Sequence, residues 1–194
     1  MTPIRTVAIL GAGHGGVAAA ADLTRRGYDV SLHARRADRL APLQAHGGVD
    51  VRGVHEGFVP LARLTTDIAE AVAEADLILL VVPSVAHHDY AAALAPHVRP
   101  EIPILLDPGH TGGGLHFLAA LRGAGYRGKV DIAETITLTY ICRMTAPTTV
   151  EIYSTTKNLG FAALPGRRTA ALHALLKPLF PELVAYSSVI ETGL

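Results

Sequence analysis

Residues Val7–Gly16, which read VAILGAGHGG, decide the fold of this chain. Four apolar residues predict a buried strand, and the glycines after it spell G-x-G-x-x-G at Gly11, Gly13 and Gly16. The alanine-rich run Val17–Arg26 predicts a helix directly after this turn. In a dinucleotide site the first glycine allows the tight turn, the second lets the backbone approach the pyrophosphate, and the third lets the helix pack on the strand.

The order strand, glycine turn, helix is the context that makes this short motif informative. The N-terminus of the helix would present unpaired N–H groups to phosphates, so His14 and Gly15 join Gly13 and Gly16 as candidate phosphate contacts. The alternative is a glycine-rich turn that binds nothing.

Farther along, strand and helix patterns alternate, which predicts an α/β fold: a Rossmann-like, doubly wound, mostly parallel sheet with helices on both faces. The continuous apolar run Leu77–Val82 is typical of a central strand. In such sheets ligands bind beyond the carboxyl ends of the strands, so the loops there should line one crevice. The predicted strands are 7–10, 28–34, 49–52, 58–64, 77–82, 104–106, 129–138, 148–154 and 183–187, and the predicted helices are 17–26, 37–45, 67–74, 84–95, 115–121 and 169–176. Asp67 is predicted to cap the third of these helices.

Composition narrows the class of protein. A length of 194 residues suits one domain, which we assign to residues 1–194. The 17 basic and 17 acidic residues balance, so no nucleic-acid surface is expected. A single cysteine and the absence of a membrane-length apolar run favour a cytoplasmic location. The apolar content, 49%, is high enough to suggest large buried faces or a face that another domain or subunit covers.

The end of the second strand bears on the cofactor. NAD sites usually place an acid there to hold the ribose hydroxyls. Here the strand ends in His33, Arg35 and Arg36, while Asp29 lies at the other end and Asp38 is predicted within the next helix. Guanidinium groups suit a 2′-phosphate, so NADP is favoured, with NAD as the second possibility. The alternative is a solvated pair of arginines.

Three other strand ends carry candidate cofactor contacts. Ser84, at the first of these ends, could instead cap the next helix, and Glu134, at the third, could instead face water. The candidates are Val82, Pro83 and Ser84; Pro108 and Gly109; and Glu134 and Thr135.

No metal site is expected. The ten histidines include the adjacent pair His87 and His88, which point in different directions on a helix, and His110 and His116 have no ligand spacing. Cys142 is predicted to be a lone buried thiol. No catalytic residue is assigned from sequence order.

The chain carries a set of motifs at residues 11–16, 81–84, 107–109, 133–135, 140–143, 157–165 and 189–194. Together these motifs resemble the octopine/nopaline (opine) dehydrogenase family. The Glu134-Thr135 and 140–143 segments are more specific to that family than the glycine turn, which many dehydrogenases share. Ketopantoate reductases and glycerol-3-phosphate dehydrogenases resemble this chain more distantly.

The resemblance implies an oxidoreductase that condenses an amino acid with an α-keto acid, using hydride from NAD(P)H. The family adds a helical domain that carries its catalytic histidine, and this chain ends where that domain would begin, so it is expected to be inactive alone. A separate helical chain or a homo-oligomer is an expected partner. Tyr140 and Arg143 could face substrate, although an arginine there could equally tie down a strand end. The alternatives are a ketopantoate reductase-like keto-acid reductase and a non-catalytic dinucleotide-binding module.

Overall fold

The computed structural model describes residues 3–193, so Met1, Thr2 and Leu194 lie outside it. Eighteen helices and strands are connected by short loops and four 3₁₀ turns. The strands are β1 Thr6–Leu10, β2 Asp29–His33, β3 Gly48–Gly53, β4 Gly57–Pro60, β5 Arg63–Thr65, β6 Leu77–Leu80, β7 Ile104–Leu106, β8 Ile132–Thr135, β9 Tyr140–Ala146, β10 Thr149–Thr155, β11 Leu159–Leu164 and β12 Leu183–Ala185; the helices are α1 His14–Arg25, α2 Ala41–His46, α3 Ile68–Val72, α4 His87–Leu94, α5 Gly113–Gly123 and α6 Thr169–Leu176.

The main sheet has eight strands in the order β12-β11-β8-β7-β6-β1-β2-β5. Neighbouring strands are parallel except β8 and β11, which are antiparallel. The first strand therefore lies in the interior of the sheet, between β2 and β6. The loops that follow these three strands meet at one edge, where the predicted crevice lies.

Both faces of the main sheet are covered. Along β1, Val7 and Ile9 pack toward α1 and α6, while Ala8 and Leu10 pack toward α3, α4 and α5. Strands buried on both faces are continuously apolar, as the sequence of β1 and β6 indicates. The predicted fold class, a Rossmann-like and mostly parallel sheet, is confirmed.

A second, four-stranded sheet in the order β4-β3-β10-β9 packs on the outer side of α1. Helix α1 is consequently enclosed between two sheets, and eight of its twelve residues are buried. Small alanine side chains allow both sheets to approach the helix, which accounts for part of the high apolar content. No helix in residues 3–193 has the length and apolar character needed to cross a membrane.

The second sheet corrects three expectations. The predicted strand 58–64 is two strands, β4 and β5, which belong to different sheets because the chain turns away at Pro60–Ala62. The predicted strand 148–154 is β10, which pairs with β3 and β9 instead of extending the main sheet. The predicted strand 129–138 contracts to β8, and β9 and β11 are additional strands.

Several helix predictions are confirmed in position and corrected in detail. Asp67 caps α3 as predicted, accepting hydrogen bonds from the backbone N–H groups of Ala69 and Glu70. The predicted helix 37–45 is a 3₁₀ turn, Ala37–Arg39, followed by α2. The predicted helix 84–95 is likewise a 3₁₀ turn, Ser84–Ala86, followed by α4.

Candidate cofactor-binding crevice

The glycine turn forms one wall of the crevice. Gly11 has a φ of +116°, and a Cβ there would overlap the carbonyl oxygen of Val81. A Cβ at Gly16 would overlap the carbonyl oxygen of Gly11, whereas a Cβ at Gly13 would meet no atom of the described chain within 4 Å. Gly11 and Gly16 are therefore required by packing, and Gly13 faces open space.

The start of helix α1 faces the same space. Gly13 is its N-cap residue, and none of the described side chains caps this end. The N–H groups of the first turn are thus available to an anion, to which the positive end of the helix dipole also contributes.

His14 and Gly15 are held from the opposite side. Nδ1 of His14 accepts a hydrogen bond of 2.7 Å from the backbone N–H of Met144 in β9. A Cβ at Gly15 would lie 2.9 Å from Cδ1 of Leu138. The His14 contact joins the turn to the second sheet and occupies Nδ1 of the imidazole.

The end of β2 is a compact cluster around the ring of Tyr90. His33 is buried, meets the Tyr90 ring edge to face at 5.7 Å, and its Nδ1 has no hydrogen-bond partner in residues 3–193. Burial lowers the pKa of His33, which favours its neutral form. On the other side, the guanidinium of Arg35 lies 5.5 Å from the centre of the Tyr90 ring and 2.9 Å from Oδ2 of Asp89.

Arg36 is paired with a carboxylate of its own loop. Its Nε and Nη2 donate to the two carboxylate oxygens of Asp38 at 3.0 and 2.5 Å. Asp38 lies in the short 3₁₀ helix Ala37–Arg39, directly after β2 and at the start of the predicted helix 37–45. The strand end therefore carries both cations suited to a 2′-phosphate and a carboxylate suited to ribose hydroxyls. The sequence signal for the Arg36–Asp38 pair was their spacing, since Asp38 follows Arg36 by two residues.

The loop after β6 carries Val82, Pro83 and Ser84. Val82 is half-buried, while Pro83 and Ser84 are exposed at the crevice. Ser84 begins the 3₁₀ turn and Pro83 occupies the position before it, so Ser84 does not cap it; the part of the chain that is described provides no side-chain cap there. The capping interpretation of Ser84 was wrong.

Glu134 lies at the end of β8 and is fully buried, so its alternative interpretation as a water-facing residue was wrong. Its Oε2 accepts from the backbone N–H of Gly114, at the start of α5, at 2.5 Å. Its Oε1 accepts from the Thr192 hydroxyl at 2.6 Å. A Cβ at Gly109 would overlap the Glu134 side chain, which explains why glycine follows Pro108. Burial raises the pKa of Glu134, and the two donated hydrogen bonds oppose that rise.

Thr135 points into the protein and contacts Asp107, a residue that sequence reasoning did not select. The Thr135 hydroxyl donates to Oδ1 of Asp107 at 3.1 Å, and the backbone N–H of Thr139 donates to the same oxygen at 2.9 Å. Oδ2 of Asp107 and the hydroxyl of Thr139 are buried without a partner among residues 3–193. Burial raises the pKa of Asp107 to about 6. The sequence signals for Asp107 were its place directly after a buried strand and within the 107–109 motif.

Buried polar atoms without partners recur at this edge. Besides His33 and Asp107, His87 at the start of α4 is fully buried, and neither ring nitrogen has a partner within residues 3–193. His33 ends β2, Asp107 directly follows β7, and His87 begins α4 after β6. The open space at Gly13, in front of the uncapped start of α1, is what fits a phosphate-bearing ligand. No metal-binding group of three or more His, Cys, Asp or Glu side chains occurs in residues 3–193.

Tyr140 and Arg143 lie on β9, in the second sheet. Tyr140 is buried, and its hydroxyl donates to Oδ2 of Asp22, in the second half of α1, at 3.0 Å. Arg143 is exposed on the outer face of the second sheet, opposite Glu151. Successive residues of β9 face opposite sides, so the strand turns Tyr140 toward α1 and Arg143 toward solvent. Cys142 is half-buried, and burial raises the pKa of its thiol to about 11.

The fold and the glycine turn together define a dinucleotide-binding domain of the Rossmann type. Residues 6–107 match the family model described as NAD-dependent glycerol-3-phosphate dehydrogenase N-terminus. The chain belongs to this family of N-terminal NAD-binding domains and is a homologue of opine dehydrogenase over its whole length.

The relatives are longer than this chain. An opine dehydrogenase of Arthrobacter sp. (strain 1C) is 34% identical over 197 aligned residues, which cover 100% of this chain and 54% of the relative. Octopine dehydrogenase solved with NADH and pyruvate aligns with a TM-score of 0.80 at 23% identity, covering 96% of this chain and 51% of that one. Yersinopine dehydrogenase with bound NADP+ aligns with a TM-score of 0.75 at 19% identity, covering 97% and 49%. The chain thus spans about half the length of these relatives.

Proposed function

We propose that this chain is the NAD(P)H-binding half of an opine dehydrogenase-like oxidoreductase, which condenses an amino acid with an α-keto acid. The observation that carries the proposal is the open space at Gly13 in front of the uncapped start of α1, within a glycine turn whose other positions are closely packed. Homology to an opine dehydrogenase along the whole chain supports the substrate class.

The pyrophosphate is proposed to rest on the backbone of residues 13–16. The adenosine half then extends toward the end of β2, where Arg35 and Arg36 are the proposed partners of a 2′-phosphate and His33 lies beneath them. NADPH is the proposed cofactor and NADH the second. Asp38 supports the second assignment because a carboxylate there can accept ribose hydroxyls.

The nicotinamide half is proposed to lie toward the loops after β6, β7 and β8. Pro83 and Ser84 would border it on one side, with Val82 behind them, and Pro108, Gly109 and the Glu134-Thr135 corner on the other. When bound, the dinucleotide supplies the hydride, and the protein supplies position and charge. The Tyr140 hydroxyl is bonded to Asp22, so the proposal gives Tyr140 no substrate role. Arg143 is exposed beside Met144, which contacts His14, and it stays a proposed substrate contact of the complete enzyme.

Catalysis is proposed to need further residues from a helical domain or a partner subunit. Exposed apolar side chains at the same edge support such a cover: Val85 after β6, Leu115 at the start of α5, and Ile190 before the turn that Glu134 holds. We expect this chain alone to bind the cofactor without catalysing the reaction. The cytoplasm is the proposed location.

The test is calorimetric titration of the chain with NADPH and, separately, with NADH. We expect NADPH to bind, and the double substitution Arg35→Ala, Arg36→Ala to weaken NADPH at least about tenfold while changing NADH less, because charge-assisted contacts to the 2′-phosphate are lost. Binding of neither cofactor, in a chain that folds by circular dichroism, would refute the proposed site. Equal weakening of both cofactors would contradict the NADP assignment.

A further inference from the structure

The ion pair between Arg35 and Asp89 joins two elements across the crevice. Arg35 belongs to the loop after β2, Asp89 lies in the first turn of α4, which follows β6, and β1 stands between β2 and β6 in the sheet. The nitrogen–oxygen distance is 2.9 Å, and the two side chains are 56% and 62% exposed. The pair therefore crosses the carboxyl end of β1, on the face opposite α1.

The geometry fixes where the guanidinium can act. Arg35 lies 5.5 Å above the ring of Tyr90, which is itself supported edge to face by His33. The guanidinium is thus held in place by a cation–π contact and by one carboxylate. Its Nη1 donates to Asp89, which leaves the rest of its donor fork for a ligand.

Asp89 has two effects on an anionic ligand at this position. It occupies donors of Arg35 that a phosphate would use, and it adds a negative charge close to where that phosphate would lie. A ligand with a free ribose hydroxyl meets neither penalty. We propose that Asp89 is a specificity-determining residue that lowers the preference of this crevice for NADPH over NADH by competing for Arg35.

This inference rests on the proposed function, since it assumes that a dinucleotide binds with its adenosine half at β2. It goes further by assigning a role to a carboxylate on α4. Arg36 provides a comparison within the same loop. The carboxylate that competes for it, Asp38, is only two residues away and accepts two hydrogen bonds from its guanidinium.

The test compares Asp89→Asn with the wild-type chain by titration with NADPH and NADH. The substitution keeps size and removes the charge. Because exposed pairs are worth up to about 1 kcal/mol and a charge repulsion is relieved as well, NADPH should bind about threefold to tenfold more tightly, with NADH changing less than about twofold.

A matched control lies at the start of strand β2, the strand that leads to Arg35. Asp29 forms an exposed pair with Arg63 at 3.1 Å, at the opposite end of β2 from the crevice. Asp29→Asn makes the same change of charge and should alter neither affinity. In an Arg35→Ala background, Asp89→Asn should lose most of its effect on NADPH, because the residue it competes for is gone.

The outcomes are distinct. A wild-type chain that binds neither cofactor refutes the proposed function, and this inference with it. A wild-type chain that binds, with Asp89→Asn changing NADPH and NADH by the same factor or changing neither, refutes only the role of Asp89. An Asp29→Asn effect equal to that of Asp89→Asn would assign the shift to net charge and likewise overturn it.

Discussion

Gly11, Gly13 and Gly16 have different structural roles within the same turn. Gly11 and Gly16 leave no room for a Cβ, because each would overlap a backbone carbonyl oxygen, whereas the space at Gly13 is open. The motif thus combines two packing requirements with one position that serves a ligand. Alanine substitutions at Gly16 and Gly13 test the packing role and the ligand-binding role separately.

Gly16→Ala is expected to destabilise the chain by about 2–4 kcal/mol, because the added methyl group must displace the backbone of the turn. Gly13→Ala is expected to leave the melting temperature nearly unchanged and to weaken NADPH at least about tenfold, since the methyl group enters the proposed phosphate site. Thermal melts and titrations measure both. A Gly13→Ala variant that binds NADPH normally would contradict the assignment of the phosphate to this turn.

Strands β7, β8 and β9 are joined at their ends by the buried carboxyl of Asp107. Thr135 of β8 and Thr139, just before β9, donate to one oxygen, and the other oxygen has no partner in the described chain. This junction is where the main sheet leads into the second sheet. Its carboxyl is consequently in a poor environment for a negative charge.

The pKa of Asp107 predicts how stability depends on pH. Burial raises the pKa from 3.8 to about 6, so the folded state holds a proton that the unfolded state releases between these values. The contribution of this group to stability is therefore full below pH 3.8 and is lost as pH rises through about 6, amounting to about 3 kcal/mol.

Asp107→Asn removes this dependence. Its amide can keep the accepting oxygen for Thr139 N–H and the Thr135 hydroxyl while its N–H₂ replaces the unpartnered oxygen. We expect the variant to be more stable than the wild type by up to about 3 kcal/mol at pH 8 and to lose this advantage near pH 4. Urea unfolding at the two pH values measures the difference. Destabilisation at pH 8 would show that the ionised carboxylate is the form the junction uses.

On one side of the main sheet the molecule has two further layers: α1 with α6, and then the second sheet, which encloses α1. Contacts at both ends of α1 hold that sheet in place: His14 with β9 at the glycine turn and Tyr140 with Asp22 near the other end. The sheet contacts the phosphate-binding turn through Met144, and residues 144–147 line a cavity beside that turn together with Ala12 and Asp38.

Tyr140→Phe tests whether Tyr140 belongs to this support. Removing the hydroxyl leaves Asp22 without that hydrogen bond, so we expect a loss of about 1–2 kcal/mol in unfolding free energy with unchanged affinity for NADPH. In a complete enzyme, KM for the amino acid should also be unchanged. A raised KM with unchanged stability would restore Tyr140 to the substrate site.

The sequence alone determined the Rossmann class, the glycine turn, the central strands and the capping of α3 by Asp67. These features follow from local rules: apolar runs, the conformational freedom of glycine and side chains that bond their own backbone. The resemblance to opine dehydrogenases also came from contiguous motifs, and the homology along the whole chain confirms it.

Only the tertiary structure decided the rest, because it depends on pairs of residues far apart in the chain. Whether Tyr140 meets substrate or Asp22, whether Glu134 faces water or Thr192, and whether Arg35 stands free or beside Asp89 are set by contacts across 118, 58 and 54 positions. The division of the strands between two sheets belongs to the same class. Alternating polarity predicts which face of a strand is buried. The element that covers that face depends on the packing of the whole chain.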